Sequence, residues 1–163
     1  MAELNDAEFA TQKARITKLI DKWYSPMDLN WCRLTLHWFR GEGPVDSDGS
    51  NFQTYASTNA KWEYRKASIT FYLGCFAGIS DEEAENMVVH ELVHIAMDEA
   101  VKDCWSSKGE FHVKHMERVV ESLARAFVYV REVGEGKRDG DGCRIKQAGP
   151  AVTVDSLCEG ESK

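Results

Sequence analysis

The pentad His90-Glu91-Leu92-Val93-His94, set inside the apolar run from Met87 to Ala96, constrains this chain more than any other feature. Residues four apart stand one above the other on a helix, so His90 and His94 present two imidazoles on one face. Two imidazoles at that spacing can bind one zinc ion, and Glu91 beside them can take a proton from a water on that ion. The competing reading is a chance match on an ordinary buried helix, and a third ligand elsewhere in the chain weighs against it.

The helix itself is well signalled. Ser80 is an N-cap, Glu83 completes a capping box, and Asp81, Glu82 and Glu83 suit the positive end of the helix dipole. It is expected to run to about Lys102. A connection from Asp103 to Glu110 leads into a second helix, from about His112 to Arg131.

A catalytic zinc usually takes three protein ligands and one water. The continuation H-E-x-x-H-x-x-G-x-x-H is excluded by Met97 and Ala100. The second helix offers His112, His115, Glu117 and Glu121 instead. At about 100° per residue, Val113, Met116, Val119, Val120, Leu123, Ala124, Ala126, Phe127 and Val130 share an apolar arc, with Glu117 on its rim and Ala124 and Val128 within about 20° on either side of it. Glu121 lies about 40° further out, beside Lys114 and Arg125, and His115 points almost opposite to Glu117. A carboxylate on a buried face needs a partner, and a metal ion would be one. A short loop makes the two helices antiparallel, which levels His94 with Glu117 and His90 with Glu121. Glu117 is the expected third ligand. Glu121, which could also pair with Arg125 or Arg118, is either a support for a ligand histidine or the ligand itself.

The rest of the chain reads as a small soluble domain. With 163 residues, 43% hydrophobic and 29% charged, it can bury one core, and no apolar run is long enough to span a bilayer. The acidic N-terminus is no signal peptide, so a cytoplasmic location is expected. Cys32, Cys75, Cys104, Cys143 and Cys158 are odd in number and widely spaced, which argues for free thiols. A net charge of -7 makes a general nucleic-acid binder less likely, although a local basic patch could survive it.

Asn5, with Glu8 three residues on, should cap a first helix reaching about Trp23, stopped by Pro26. Leu29 to Phe39 alternates as a half-buried strand, with Cys32, Leu34, Leu36 and Trp38 inward and His37 a solvated surface histidine. Arg40 to Ser50 is a loop without EF-hand spacing. Phe52 to Ala60 and Lys61 to Lys66 look like strand material around a turn near Ser57-Thr58-Asn59, and Ala67 to Gly74 is a stronger strand. From Gly134 onward the chain is polar and glycine-rich, expected to be partly disordered apart from a short strand at Ala151 to Val154.

The pentad, followed by Glu117-Arg118-Val119-Val120-Glu121-Ser122-Leu123-Ala124-Arg125-Ala126-Phe127, resembles the small metallopeptidases of bacteriophage and prophage genomes. Trp31-Cys32-Arg33-Leu34-Thr35-Leu36 and Ala67-Ser68-Ile69-Thr70-Phe71 fit the same group. More distantly the chain is similar to single-domain gluzincins and to SprT-like and ImmA-like peptidases. The resemblance covers about residues 5–131. It implies an α+β fold of the minimal gluzincin or zincin-like kind: an N-terminal helix, a small, twisted, mostly antiparallel sheet of about three strands, the pentad helix and an antiparallel glutamate helix. One domain over residues 1–133 would precede a tail over 134–163.

The resemblance also implies a zinc-dependent endopeptidase acting on a peptide or protein, in a host cytoplasm if phage-encoded. His90, His94 and Glu117 would bind Zn2+ and Glu91 would be the general base. An ImmA-like alignment on Glu-x-x-Ala-x-x-Phe would make Glu121 the ligand. By the same analogy the 67–74 strand could be the sheet edge on which substrate pairs. His112, His115, Tyr72 and Tyr129 are available to stabilise the oxyanion. Two other readings compete: a phage-encoded zinc protein that binds a host protein as an inhibitor or antirepressor, and a SprT-like protease acting on DNA-bound proteins, which would need a basic surface or a zinc ribbon; the acid balance weighs against the one and the lack of a cysteine pair against the other.

Overall fold

The computed structural model describes residues 3–45, 53–107 and 110–136, with side chains described outside 99–114. By contact the chain divides into two units, Met1–Val130 and Arg131–Lys163. The expected strand at Ala151 to Val154, and nearly all of the glycine-rich tail, lie outside the described residues.

Helix α1 (Asp6–Tyr24) begins as its sequence dictates. The Asn5 side chain accepts from the Glu8 backbone N–H, and Glu8 accepts in return from the Asn5 N–H, both at 3.0 Å. Ile16, Ile20 and Trp23 form its buried stripe. Strand β1 (Arg33–Phe39) follows a single 3-10 turn over Leu29–Trp31, so the strand starts later than its alternation suggested. Strand β2 (Ala56–Lys61) and strand β3 (Lys66–Tyr72) are joined by a tight turn at Trp62–Tyr64. The turn expected at Ser57-Thr58-Asn59 is therefore the middle of β2; a run of small polar residues resembles a turn, and only pairing with β3 makes it a strand.

The sheet order is β1-β3-β2, with β1 parallel and β2 antiparallel to β3. The sheet is thus mixed rather than mostly antiparallel, and β3 is its centre rather than an edge. The chain from β1 to β2 must cross the end of β3, and it does so at close quarters. A Cβ on Gly43 would lie 1.9 Å from the Thr54 carbonyl oxygen, and one on Gly74 would lie 2.7 Å from the Gly41 backbone.

One face of the sheet carries the core. Ala67, Ile69 and Phe71 of β3 are buried, flanked in register by Leu34, Leu36 and Trp38 of β1 and by Ala56, Thr58 and Ala60 of β2. After a short turn of helix, α2 (Leu73–Phe76), comes α3 (Asp81–Ser107), which packs on both α1 and β2. Its Ala84, Val88, Val89, Leu92, Val93 and Ile95 are buried around most of its girth, as befits a helix enclosed on several sides. Ser80 and Glu83 form the expected cap. Arg15 ties α1 to this start, donating to the Phe76 and Ile79 carbonyls and pairing with Asp81 at 2.7 Å. Lys22 and Trp23 both reach Glu85.

The next element is helix α4 (Glu110–Gly134). The expected connection over Asp103 to Glu110 is thus mostly helical, since α3 continues through Ser107. The face that α4 buries is Val120, Ala124 and Val128, with Glu117 and Glu121 beside it, whereas Leu123, Phe127 and Val130 are exposed. The buried stripe is rotated from the centre of the apolar arc toward the two glutamates. In the second unit, Arg131 and Glu135 pair at 2.8 Å on the last turn of α4.

Candidate metal centre

The two histidines of α3 meet the two glutamates of α4. Their Nε2 atoms are 3.1 Å apart, and Glu117 Oε2 lies 3.3 Å from His90 Nε2 and 3.5 Å from His94 Nε2. Ligand atoms at about 2.0–2.1 Å from a tetrahedral ion are separated by about 3.3 Å, so the three observed distances are those of donors converging on one small cation. The donor set, two imidazoles and a carboxylate, suits a divalent transition-metal ion. His90, His94 and Glu117 form a cluster that could hold a metal ion. The Glu117 side chain is 43% exposed while the His90 and His94 side chains are 17% and 16% exposed, so the cluster is walled by α3 and open past α4.

Glu121 takes a different place. Its Oε2 lies 3.2 Å from His90 Nδ1, on the ring edge turned away from the cluster, and its Oε1 pairs with Arg125 at 2.6 Å. In the protonated ring Nδ1–H donates to this carboxylate and Nε2–H to Glu117; loss of the Nε2 proton alone would turn that lone pair toward Glu117 and His94, as a metal ligand requires. The antiparallel levels expected for His94 with Glu117 and His90 with Glu121 are present, and His90 reaches both glutamates.

The cluster sets its own electrostatics. Burial alone would push the His90 pKa down, but Glu117, Glu91 and Glu121 outweigh it and the net shift is upward. Burial would raise Glu117, but its bonds to His90 and His94 prevail and hold it at about 2. Glu91 is the buried acid of the core, 7% exposed. Its carboxyl is pushed up by burial, against the lowering effect of Thr58 and the nearby histidines. Thr58 Oγ1–H donates to Glu91 Oε2 at 2.6 Å, which aims the carboxylate toward β2.

Thr58 was not singled out by sequence reasoning. The available signal was its position between Ala56 and Ala60 on one side of an alternating strand, and the misplaced turn hid it. Of the proposed oxyanion partners, the described residues bring none to the cluster. His115 is exposed on another side of α4. Tyr129 is twelve residues, about 18 Å, along α4 from Glu117. Tyr72 lies on the opposite face of the sheet from Thr58 and packs on Phe39. The His112 side chain lies outside the described ones. His37 is exposed, as expected, and Cys32 and Cys75 are free and buried. No described helix is long and apolar enough to cross a membrane.

Comparison with protein-family models, with curated proteins and with solved structures finds no match to this chain.

Proposed function

We propose that this chain is a zinc-dependent metallopeptidase that hydrolyses peptide bonds with Glu91 as general base. The observation that carries the reading is the convergence of His90 Nε2, His94 Nε2 and Glu117 Oε2 within 3.1–3.5 Å of one another, beside a buried carboxylate on the same helix. His90, His94 and Glu117 would hold the ion, and zinc fits two imidazoles and one carboxylate with room left for water. When bound, it would supply Lewis acidity to a water and to the scissile carbonyl.

The chain's own residues do the remaining work. Glu91 accepts a proton from the attacking water and returns it to the leaving amine; its raised pKa brings it nearer the operating pH of a general base. Thr58 holds the Glu91 carboxylate in one orientation, and the Arg125–Glu121 pair holds His90 in one tautomer. Strand β2 is the sheet edge beside α3, and among the described residues no strand pairs with its outer side. An extended peptide added to that edge would run past Thr58 and so past Glu91, which replaces β3 as the substrate-pairing strand.

The test is hydrolysis of a quenched-fluorescent peptide library by the purified chain with one equivalent of zinc, against Glu91→Gln as control. Cleavage by the wild type alone supports the reading. Equal cleavage by both removes Glu91 from the base role. Absence of cleavage by either, with zinc bound, favours the non-enzymatic host-protein binder.

A further inference from the structure

The sheet face turned away from the helices carries an unusual row of charge. Arg33 of β1 pairs in register with Lys66 of β3, and Lys66 with Lys61 of β2. Residues paired in register project to the same side, so three cations stand abreast on strands about 4.8 Å apart. All three are exposed, and none makes a side-chain ion pair among the described residues. Like charges directly opposite one another destabilise a sheet, so the fold gains nothing from this row.

The next rows change character. Thr35, Ser68 and Asn59 follow, then His37, Thr70 and Ser57, all with hydrogen-bonding side chains. At the far end Phe39, 53% exposed, packs on Tyr72 with ring centroids 5.5 Å apart. From cations to aromatics the face is about 20 Å long at about 3.3 Å per residue. A flat strip with cations at one end, donors and acceptors between, and an exposed aromatic pair at the other matches what an unpaired nucleotide strand needs. Phosphates take the cations, base and sugar edges take the hydroxyls, and a base stacks on Phe39. A duplex would leave the aromatic pair unused, and an acidic peptide would use only the cations.

We propose that this outer sheet face binds single-stranded nucleic acid, on the side opposite the metal cluster. The net charge of -7 does not oppose this; it discourages binding elsewhere on the surface and leaves this face, with its row of three cations, as the favoured place. The site is independent of the peptidase reading.

The experiment is fluorescence anisotropy of the full chain with a labelled twelve-nucleotide oligothymidylate across a salt series, with oligouridylate, a hairpin duplex and polyglutamate as parallel probes. Binding should weaken with salt with a log–log slope of about -2, from three phosphates at about -0.7 each. Lys61→Gln with Lys66→Gln should reduce that slope by about 1.4. Phe39→Ala should weaken binding about 5- to 150-fold and leave the slope unchanged. The two single-stranded probes bind through shared chemistry, and their ratio tells which sugar is preferred. All of these positions are exposed, and thermal melting checks the fold of each variant. Absence of binding to both single strands at low salt would overturn the proposal. So would variants that bind as the wild type does, or polyglutamate or duplex binding as tightly with Phe39→Ala without effect.

Discussion

Glu91 is held by two opposing demands. A carboxylate so deeply buried costs stability, and among the described residues its one side-chain donor is Thr58. A group kept at that cost is expected to be worth more to chemistry than to folding. Glu91→Gln should therefore keep its metal, lose hydrolysis and melt about 3 °C or more higher at neutral pH, as read by calorimetry with metal analysis. A lower melting temperature would mean that the carboxylate is a structural partner of Thr58. The two glutamates of α4 separate in the same way. Glu121 touches His90 through the outer ring nitrogen, so Glu121→Gln should weaken zinc binding about 10- to 100-fold. Glu117→Gln should weaken it more, because it would replace the anionic donor of the proposed ligand set by a neutral amide. Competition with a chromophoric chelator ranks them, and the reverse order would make Glu121 the ligand.

At the scale of elements, α4 shows what periodicity reports and what it leaves out. The helix buries Val128, 2% exposed, and leaves Val130 67% exposed. Val128→Ala should cost about 2 kcal/mol in urea unfolding, and Val130→Ala within about 0.5 kcal/mol. Val130 lies within the apolar arc and Val128 beside Glu117 at its rim, so the sequence could place Glu117 near the core but not tell which edge of the arc faces inward. That depends on α3, whose histidines pull the glutamate side of α4 toward them. The caps at Asn5 and Ser80 were legible because they are local, with donor and acceptor three residues apart. The β1–β3 pairing was not, because alternation reveals a strand's faces and says nothing of its neighbour or direction. Thr58 was lost with it: its role exists only once β2 lies beside α3.

For the whole molecule, the metal cluster links stability to pH with two signs. Glu117, held at about 2, stabilises the fold above its unfolded pKa of about 4.5, and this contribution is lost as pH falls through about 2. His90, raised above its ordinary 6.5, stabilises the metal-free fold below 6.5, and this contribution is lost as pH rises through the raised value. Zinc needs His90 neutral, so the proton competes with the metal. The gain in melting temperature on adding zinc should therefore be small below pH 6.5 and grow as pH rises past the His90 titration. Scanning calorimetry with and without zinc reads this directly, and a gain independent of pH would place the metal away from His90. X-ray absorption at the zinc edge of the zinc-loaded chain reads the proposed site itself. One zinc per chain is expected, with two imidazole nitrogens, one carboxylate and water, and loss of the imidazole signature in His90→Ala with His94→Ala. A spectrum unchanged in that double variant, or a zinc with four protein ligands, would contradict it.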